Sequence, residues 1–200
     1  ELPENADADA PETSAASDEG DAGPPCIMSF NAVDPSGAAG LGADGVTMAA
    51  VGGHALPVVT GAYARDTAEV FDHFPFDEDH VAEQARAILE DVPVQVMKVG
   101  FVGSPENIST IAEIAADYAE VPLIAYMPNL SWWDENQIDL YLDAFRELML
   151  PQTTVLVGNH STLWRWLLPD WSGDKSPSAR DIARAAGEAG VPYTLVTGIP

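Results

Sequence analysis

The chain has one cysteine, Cys26, in 200 residues. A disulfide framework within the chain and a multi-cysteine metal site are thereby excluded. Basic residues are scarce: 8 Lys+Arg stand against 32 Asp+Glu, for a formal net charge of −24. Such a field repels phosphate backbones and anionic lipid surfaces, so neither a nucleic-acid partner nor a membrane is expected. No apolar run approaches the roughly 20 residues that span a bilayer. No leader with a basic start and an apolar centre is visible, and since the chain opens at Glu1 rather than Met, prior removal of one stays open as an alternative. With a single thiol, a cytoplasmic setting is the expectation. No Gly-Lys-Ser/Thr phosphate loop, no G-x-G-x-x-G fingerprint and no G-x-S-x-G elbow occurs, so Ser36 is not read as a hydrolase nucleophile. The four histidines, His54, His73, His80 and His160, form no H-x-H or H-E-x-x-H pattern. No metal site is expected from them, and they read as ordinary loop or surface positions.

Residues 1–25 carry eight acidic residues and no Lys, Arg or aromatic residue. A segment of this composition cannot bury enough apolar surface to offset its ordering entropy, and it reads as a disordered acidic tail. From Cys26 the composition changes. The hydrophobic fraction of the whole chain is 46%, enough for one sizeable core. Residues 26–200 read as a single domain.

Short β-branched runs bounded by Gly or Pro predict strands at Cys26–Val33, Ala55–Ala62, Val94–Val99, Pro122–Tyr126, Thr153–Val157 and Pro192–Val196. Helical spacing lies between them. Val81, Ala85, Ile88 and Leu89 fall on one face. Ile108, Ile111, Ala115 and Tyr118 make a second, opened by Ser104-Pro105-Glu106. A third runs from Ile138 through Tyr141, Leu142 and Phe145 to Met149. Ser176-Pro177 opens a fourth, with Ile182 and Ala186 facing inward. This alternation predicts an α/β fold: a mostly parallel sheet with helices on both faces. Ligands in such sheets bind beyond the carboxyl ends of the strands. The last strand, within residues 191–200, has no helix after it, and the chain is expected to be part of a longer one.

The first strand runs into Asp34-Pro-Ser-Gly-Ala-Ala-Gly-Leu-Gly-Ala-Asp44. Gly37, Gly40 and Gly42 permit a tight turn and close approach of a ligand to the backbone. Lys98, inside an apolar strand, is expected to pair with a carboxylate. Arg65 follows the second strand at its carboxyl end, near the expected ligand mouth. Cys26 reads as a buried structural thiol. Trp132, Trp133, Trp164, Trp166 and Trp171 follow the fourth and fifth strands. They read as packing residues, with a homo-oligomer surface or the wall of a flat-ring pocket as alternatives.

The Asp34–Asp44 segment resembles the D-P-S-G-G-A-G-I-Q-A-D pattern of the hydroxymethylpyrimidine/phosphomethylpyrimidine kinases of thiamin biosynthesis. Val59-Thr60, Thr67, Lys98-Val-Gly100, Leu150-Pro151 and Asn159 support the likeness. The resemblance implies a ribokinase-like three-layer fold. It implies ATP-dependent phosphoryl transfer to a pyrimidine alcohol or phosphate, with ATP and Mg²⁺ as cofactors and a small-molecule pyrimidine as partner. It places Asp44, Gly37 and Gly40 beside the pyrimidine, and Asn159 at the nucleotide. Arg65 stands where the family has Gln, and Phe101 where it has Met. A Gln amide both donates and accepts, whereas Arg only donates, which suits a carboxylate or phosphate better. Tyr126 aligns with a family Asp, Thr162 with the Glu of Asn-x-x-Glu, and Thr197-Gly198-Ile199 with Lys-Gly-Gly. No catalytic residue is assigned. A non-catalytic relative that binds another small ligand or a partner subunit is the alternative expectation.

Overall fold

A computed structural model describes residues 23–199. The acidic tail read over residues 1–25 lies almost wholly outside the described residues. In chain order the elements are β1 (Cys26–Val33), α1 (Gly40–Ala50), β2 (His54–Arg65), β3 (Val70–Pro75), α2 (Glu78–Leu89), β4 (Val96–Val99), α3 (Pro105–Asp117), β5 (Leu123–Met127), α4 (Glu135–Ala144), β6 (Val155–Asn159), α5 (His160–Leu167), α6 (Ala179–Glu188) and β7 (Tyr193–Thr197). One sheet holds all seven strands in the order β3-β2-β1-β4-β5-β6-β7. Every pairing is parallel except β2 with β3.

The central place of β1 follows from its sequence. Met28, Phe30 and Ala32 point one way, Ser29 and Asn31 the other, and all five are buried. A strand covered on both faces belongs in the middle of a sheet. From β1 the chain crosses to β2 on one side and later returns to β4 on the other. Right-handed crossovers then put α1 on one face of the sheet and α2 to α6 on the opposite face. Consistent with this, α1 packs on β1 and β2, while α2 meets α3, α3 meets α4 and α5 meets α6.

The larger core lies between the sheet and α2–α6. It joins Met28, Phe30 and Val99 to Ile108, Ile111, Leu123, Phe145 and Leu156. In α3 the Ser104 side chain accepts from the Asn107 N–H, Pro105 occupies the first turn, and Ile108, Ile111 and Ile114 face inward. The stripe beginning at Ile138 does not continue as one regular helix. After Ala144 the chain widens into a π turn over Phe145–Met149, then tightens over Leu150–Gln152. Pro151 cannot continue a helix, and the Thr153 hydroxyl closes the turn by donating to the Met149 carbonyl at 2.8 Å. At α6 the start falls at Ala179, where Ser178 and Asp181 form a capping box.

Four expectations need correction. The strand β3 has no counterpart in the sequence reading, because Phe71, Phe74 and Pro75 are exposed and the strand shows no buried period. The helix α5 is likewise new: His160, Leu163 and Trp166 face inward from a run too short to show a stripe. Cys26 is half-buried rather than buried, at the very start of β1. Two of the histidines are also not surface residues. His160 is buried, with its Nε2 at 2.7 Å from the Pro177 carbonyl. Among the described residues no helix is long and apolar enough to cross a membrane.

His73 is buried on β3, and its Nε2 has no hydrogen-bond partner among the described residues. Burial pushes the imidazole down to about 4, against a smaller opposing pull from Asp72. The unfolded chain therefore takes up a proton that the folded chain refuses. The associated stability is complete above about pH 6.5 and falls as pH drops towards 4, by at most about 3 kcal/mol. Urea unfolding at pH 7.5 and pH 4.5 is expected to show this loss in the parent and a flatter dependence in His73→Asn.

Candidate functional site

The order reversal between β1 and β4 makes a switch point at the open end of the sheet. The chain leaves β1 there through Asp34. Asp34 Oδ1 accepts from the Ser36 N–H at 2.8 Å and from the Ser36 hydroxyl at 2.7 Å, and Oδ2 accepts from the Ala39 N–H at 3.1 Å. These bonds fold residues 34–39 into a turn that delivers Gly40 to the start of α1. Gly40 has φ +67°, and a Cβ there would lie 2.5 Å from the Ala32 carbonyl oxygen. The helix thus begins against β1 itself.

Asp44 lies one turn further into α1 and faces the sheet. Its Oδ2 accepts from the Ser29 hydroxyl at 2.7 Å and from Asn31 Nδ2 at 3.0 Å, and its Oδ1 accepts from Lys98 Nζ at 2.5 Å. Ser29 and Lys98 are paired in register across β1 and β4, which sets their side chains together. Asn31 Oδ1 accepts from the Ala32 N–H, so its amide nitrogen is turned towards Asp44. Gly100 leaves the room for this: a Cβ there would stand 2.6 Å from the Asn31 amide group. Burial opposes the charge on Asp44, but the bonds from Asn31, Lys98 and Ser29 outweigh it and hold the carboxyl below its ordinary range. The expectation that Lys98 finds a carboxylate is met by Asp44.

Beside this cluster opens a cleft of about 290 Å³, lined by Asn31, Ala39, Gly40, Asp44, Tyr63, Lys98, Phe101, Tyr126 and Pro128. Its aromatic wall is a packed cluster of rings. Phe101 is buried and stacks on Tyr63 with ring centres 5.8 Å apart, and Trp132, Trp133, Tyr141 and His73 pack against its edges or faces. Tyr141 in turn accepts from the Val102 N–H at 3.1 Å. Burial raises the Tyr63 hydroxyl above the ordinary phenol range, and the charge of Asp34 adds to this.

Of the residues singled out in the sequence, Gly40, Asp44, Lys98, Phe101 and Tyr126 come together in this cleft. Gly37 shapes the turn, with φ +71°, but does not line the cleft. Arg65 also stands outside the lining. Its Nη1 donates to Asp34 Oδ2 at 3.3 Å and its Nε to the Asp66 carbonyl at 2.9 Å. Asn159 is separate again: it caps α5, accepting from the Ser161 N–H and hydroxyl. The sequence reading passed over Ser29, Asn31 and Tyr63. Ser29 and Asn31 carry a legible signal, two polar residues on one face of an otherwise apolar strand. A second cavity of about 210 Å³ lies between α4 and α5, floored by Ile138, Leu142 and Trp166 with Arg165 and Thr162 at its side. Trp132 and Trp133 pack around Phe101 without lining either space.

The family profile described as phosphomethylpyrimidine kinase matches residues 34–200. The chain belongs to the phosphomethylpyrimidine kinase family. A hydroxymethylpyrimidine/phosphomethylpyrimidine kinase of Mycobacterium bovis is 31% identical over 181 residues, spanning 88% of this chain and 64% of that protein. One from Streptomyces coelicolor is 30% identical over 179 residues with the same coverage. The chain therefore spans 64% of the length of these relatives. Among solved structures, a phosphomethylpyrimidine kinase from Clostridium difficile superposes with TM-score 0.73 at 23% identity, covering 88% of this chain and 75% of that one. A Staphylococcus aureus pyridoxal kinase in complex with AMP-PCP and pyridoxal gives 0.73 at 18% identity, covering 88% and 62%. These two likenesses establish the ribokinase-like fold.

The kinase family implies ATP and Mg²⁺. Mg²⁺ is usually held through one or two carboxylates plus phosphate oxygens. At the two places where the resemblance calls for a carboxylate, this chain has Tyr126, 40% exposed at the end of β5, and Thr162 on α5. Among the described residues no group of three or more His, Cys, Asp or Glu is placed to hold a metal ion. At these two places the described residues offer Mg²⁺ no carboxylate.

Proposed function

We propose that the chain binds a small six-membered heterocyclic alcohol, of the hydroxymethylpyrimidine type, in the cleft beside Asp44, and presents its hydroxymethyl group for ATP-dependent phosphorylation. The observation that supports this is the ionised Asp44, oriented by Ser29, Asn31 and Lys98 at the open end of the sheet. A carboxylate fixed by three donors fixes in turn the ammonium of Lys98, and the two give a flat ligand a polar edge to meet. Phe101 and Tyr63 supply an apolar wall, and Gly40 lines the cleft at the start of α1. A concave site with few, well-placed polar groups is the usual form of a small-molecule pocket. The chain's own part in the reaction is to bind the ring, orient the alcohol and exclude water from it.

A second reading is ring binding without phosphoryl transfer. Tyr126 and Thr162 favour it, since neither offers a charge to hold a metal. Calorimetric titration of the folded chain with hydroxymethylpyrimidine, pyridoxine and related ring alcohols tests the common ground. One-to-one saturable binding by at least one of them is expected. Binding by none, in a chain shown by circular dichroism to be folded, overturns the proposal. ADP release on adding Mg-ATP to a ring that binds then separates the two readings.

A further inference from the structure

We infer that Tyr141 and Thr60 are positioning residues for ring binding: both are buried and neither lines the cleft, and they set the place of the Phe101 ring through the peptide unit that joins Phe101 to Val102. This rests on the ring-binding reading above and adds two residues to it.

Phe101 lies two residues beyond the end of β4, where strand pairing no longer holds the chain. The last bond in the manner of the sheet runs from the Gly100 N–H to the Phe30 carbonyl at 2.9 Å. Side chains from three other elements take over. The Phe101–Val102 peptide unit is gripped at both ends. Its oxygen accepts from the Thr60 hydroxyl of β2 at 3.2 Å, and its N–H donates to the Tyr141 hydroxyl of α4 at 3.1 Å. The next carbonyl, that of Val102, accepts from Asn107 Nδ2 of α3 at 2.9 Å. Thr60, Asn107 and Tyr141 are all fully buried.

A peptide unit is planar, so bonds to its oxygen and its N–H together set its plane. Gly100 is tied to β1 on one side of Phe101 and this unit is tied on the other. The Phe101 Cα is therefore held from both sides, and with it the direction in which the ring leaves the backbone. Tyr141 also meets the ring itself, with ring centres 5.2 Å apart. Removing its hydroxyl keeps that packing but leaves the buried Val102 N–H without its acceptor, which is costly. The N–H finds another partner only if the peptide unit turns, and a turned unit carries Phe101 away from its place in the cleft wall.

Titration calorimetry of the whole chain with hydroxymethylpyrimidine tests this, at a temperature where every variant is shown to be folded. The parent, Tyr141→Phe, Phe101→Leu and the double variant are compared. Tyr141→Phe is expected to weaken binding about fivefold in the parent but less than about twofold in the Phe101→Leu background, where no ring is left to place. A hydroxyl with a merely structural role would lower the melting temperature and leave the affinity alone. Thr60→Val removes the other grip while keeping the side-chain shape. It is expected to give the same pattern, and it stands in if Tyr141→Phe fails to fold. Unchanged affinity in either folded variant, or an equal loss in both backgrounds, overturns the inference and leaves the ring-binding reading in place. Binding of neither hydroxymethylpyrimidine nor any other ring alcohol by the folded parent overturns both.

Discussion

Asp44→Ala is expected to destabilise the folded chain by about 3 kcal/mol and to abolish ring binding. The side chains of Lys98 and Asp44 are 22% and 14% exposed, so their pair is neither a solvated surface contact nor a fully buried one. Removing one partner leaves the Lys98 charge against the apolar strand β4 without its counter-ion, a change that costs about 3–5 kcal/mol when burial is complete. Ser29 and Asn31 lose their acceptor at the same time, about 1 kcal/mol each where water does not replace it. Partial exposure lowers the charge contribution, which places the total near the lower figure. Urea denaturation of the two proteins measures it. Lys98→Met in the same chain removes the stranded charge, so the double variant is expected to be more stable than Asp44→Ala alone. A loss under about 1 kcal/mol would mean that solvent screens the cluster.

Gly40→Ala is expected to cost about 2–4 kcal/mol and to weaken ring binding by more than tenfold. A residue with a side chain is strained at φ +67°, and the added Cβ meets the Ala32 carbonyl oxygen at 2.5 Å and Asp34 at 3.0 Å. Neither neighbour is the free end of a flexible side chain, so the strain and the overlap add. Relief requires α1 to move away from β1, carrying Asp44 with it. Two neighbouring glycines provide controls. Gly37→Ala has the same sign of φ but open space around the new Cβ, and is expected to cost about 1 kcal/mol. Gly42→Ala sits inside α1 with nothing near the new atom, and is expected to stabilise by up to about 1 kcal/mol. Thermal melts of the three variants are expected to rank Gly42→Ala above the parent, then Gly37→Ala, then Gly40→Ala. Equal effects at Gly37 and Gly40 would contradict the close approach of α1 to β1.

The strands at the centre of the sheet were readable because parallel strands covered on both faces must be apolar throughout. β1 spans the predicted residues, and β4 to β7 are displaced by no more than two residues at either end. β2 runs on to Arg65, past the predicted Ala62, because β3 pairs with its extension. β3 escaped notice for the reason that exposed it: as an edge strand with Phe71 and Phe74 in solvent, it shows no periodic burial. In the site, Asp44, Gly40 and Phe101 were legible from the glycine-rich turn and the family likeness. The partner of Lys98 was expected in kind but not in position, since the pair joins residues 54 apart in sequence. Arg65 shows the same limit. Its place at a strand end pointed to the ligand mouth, but its guanidinium meets Asp34, 31 residues earlier. Local periodicity carries no information about such a pair. Tyr63 was missed because the predicted strand stops at Ala62, whereas β2 runs on through Tyr63 and places it in the lining of the cleft.

The account rests on the ring lying against Asp44 and Lys98 at the switch point. A crystal structure of the chain grown with hydroxymethylpyrimidine tests this most directly. The predicted result is ring density in the cleft between Lys98 and Tyr63, with Asp44 still bonded to Ser29 and Asn31. Ring density in the cavity between α4 and α5, with the Asp44 cleft holding only water, would contradict it.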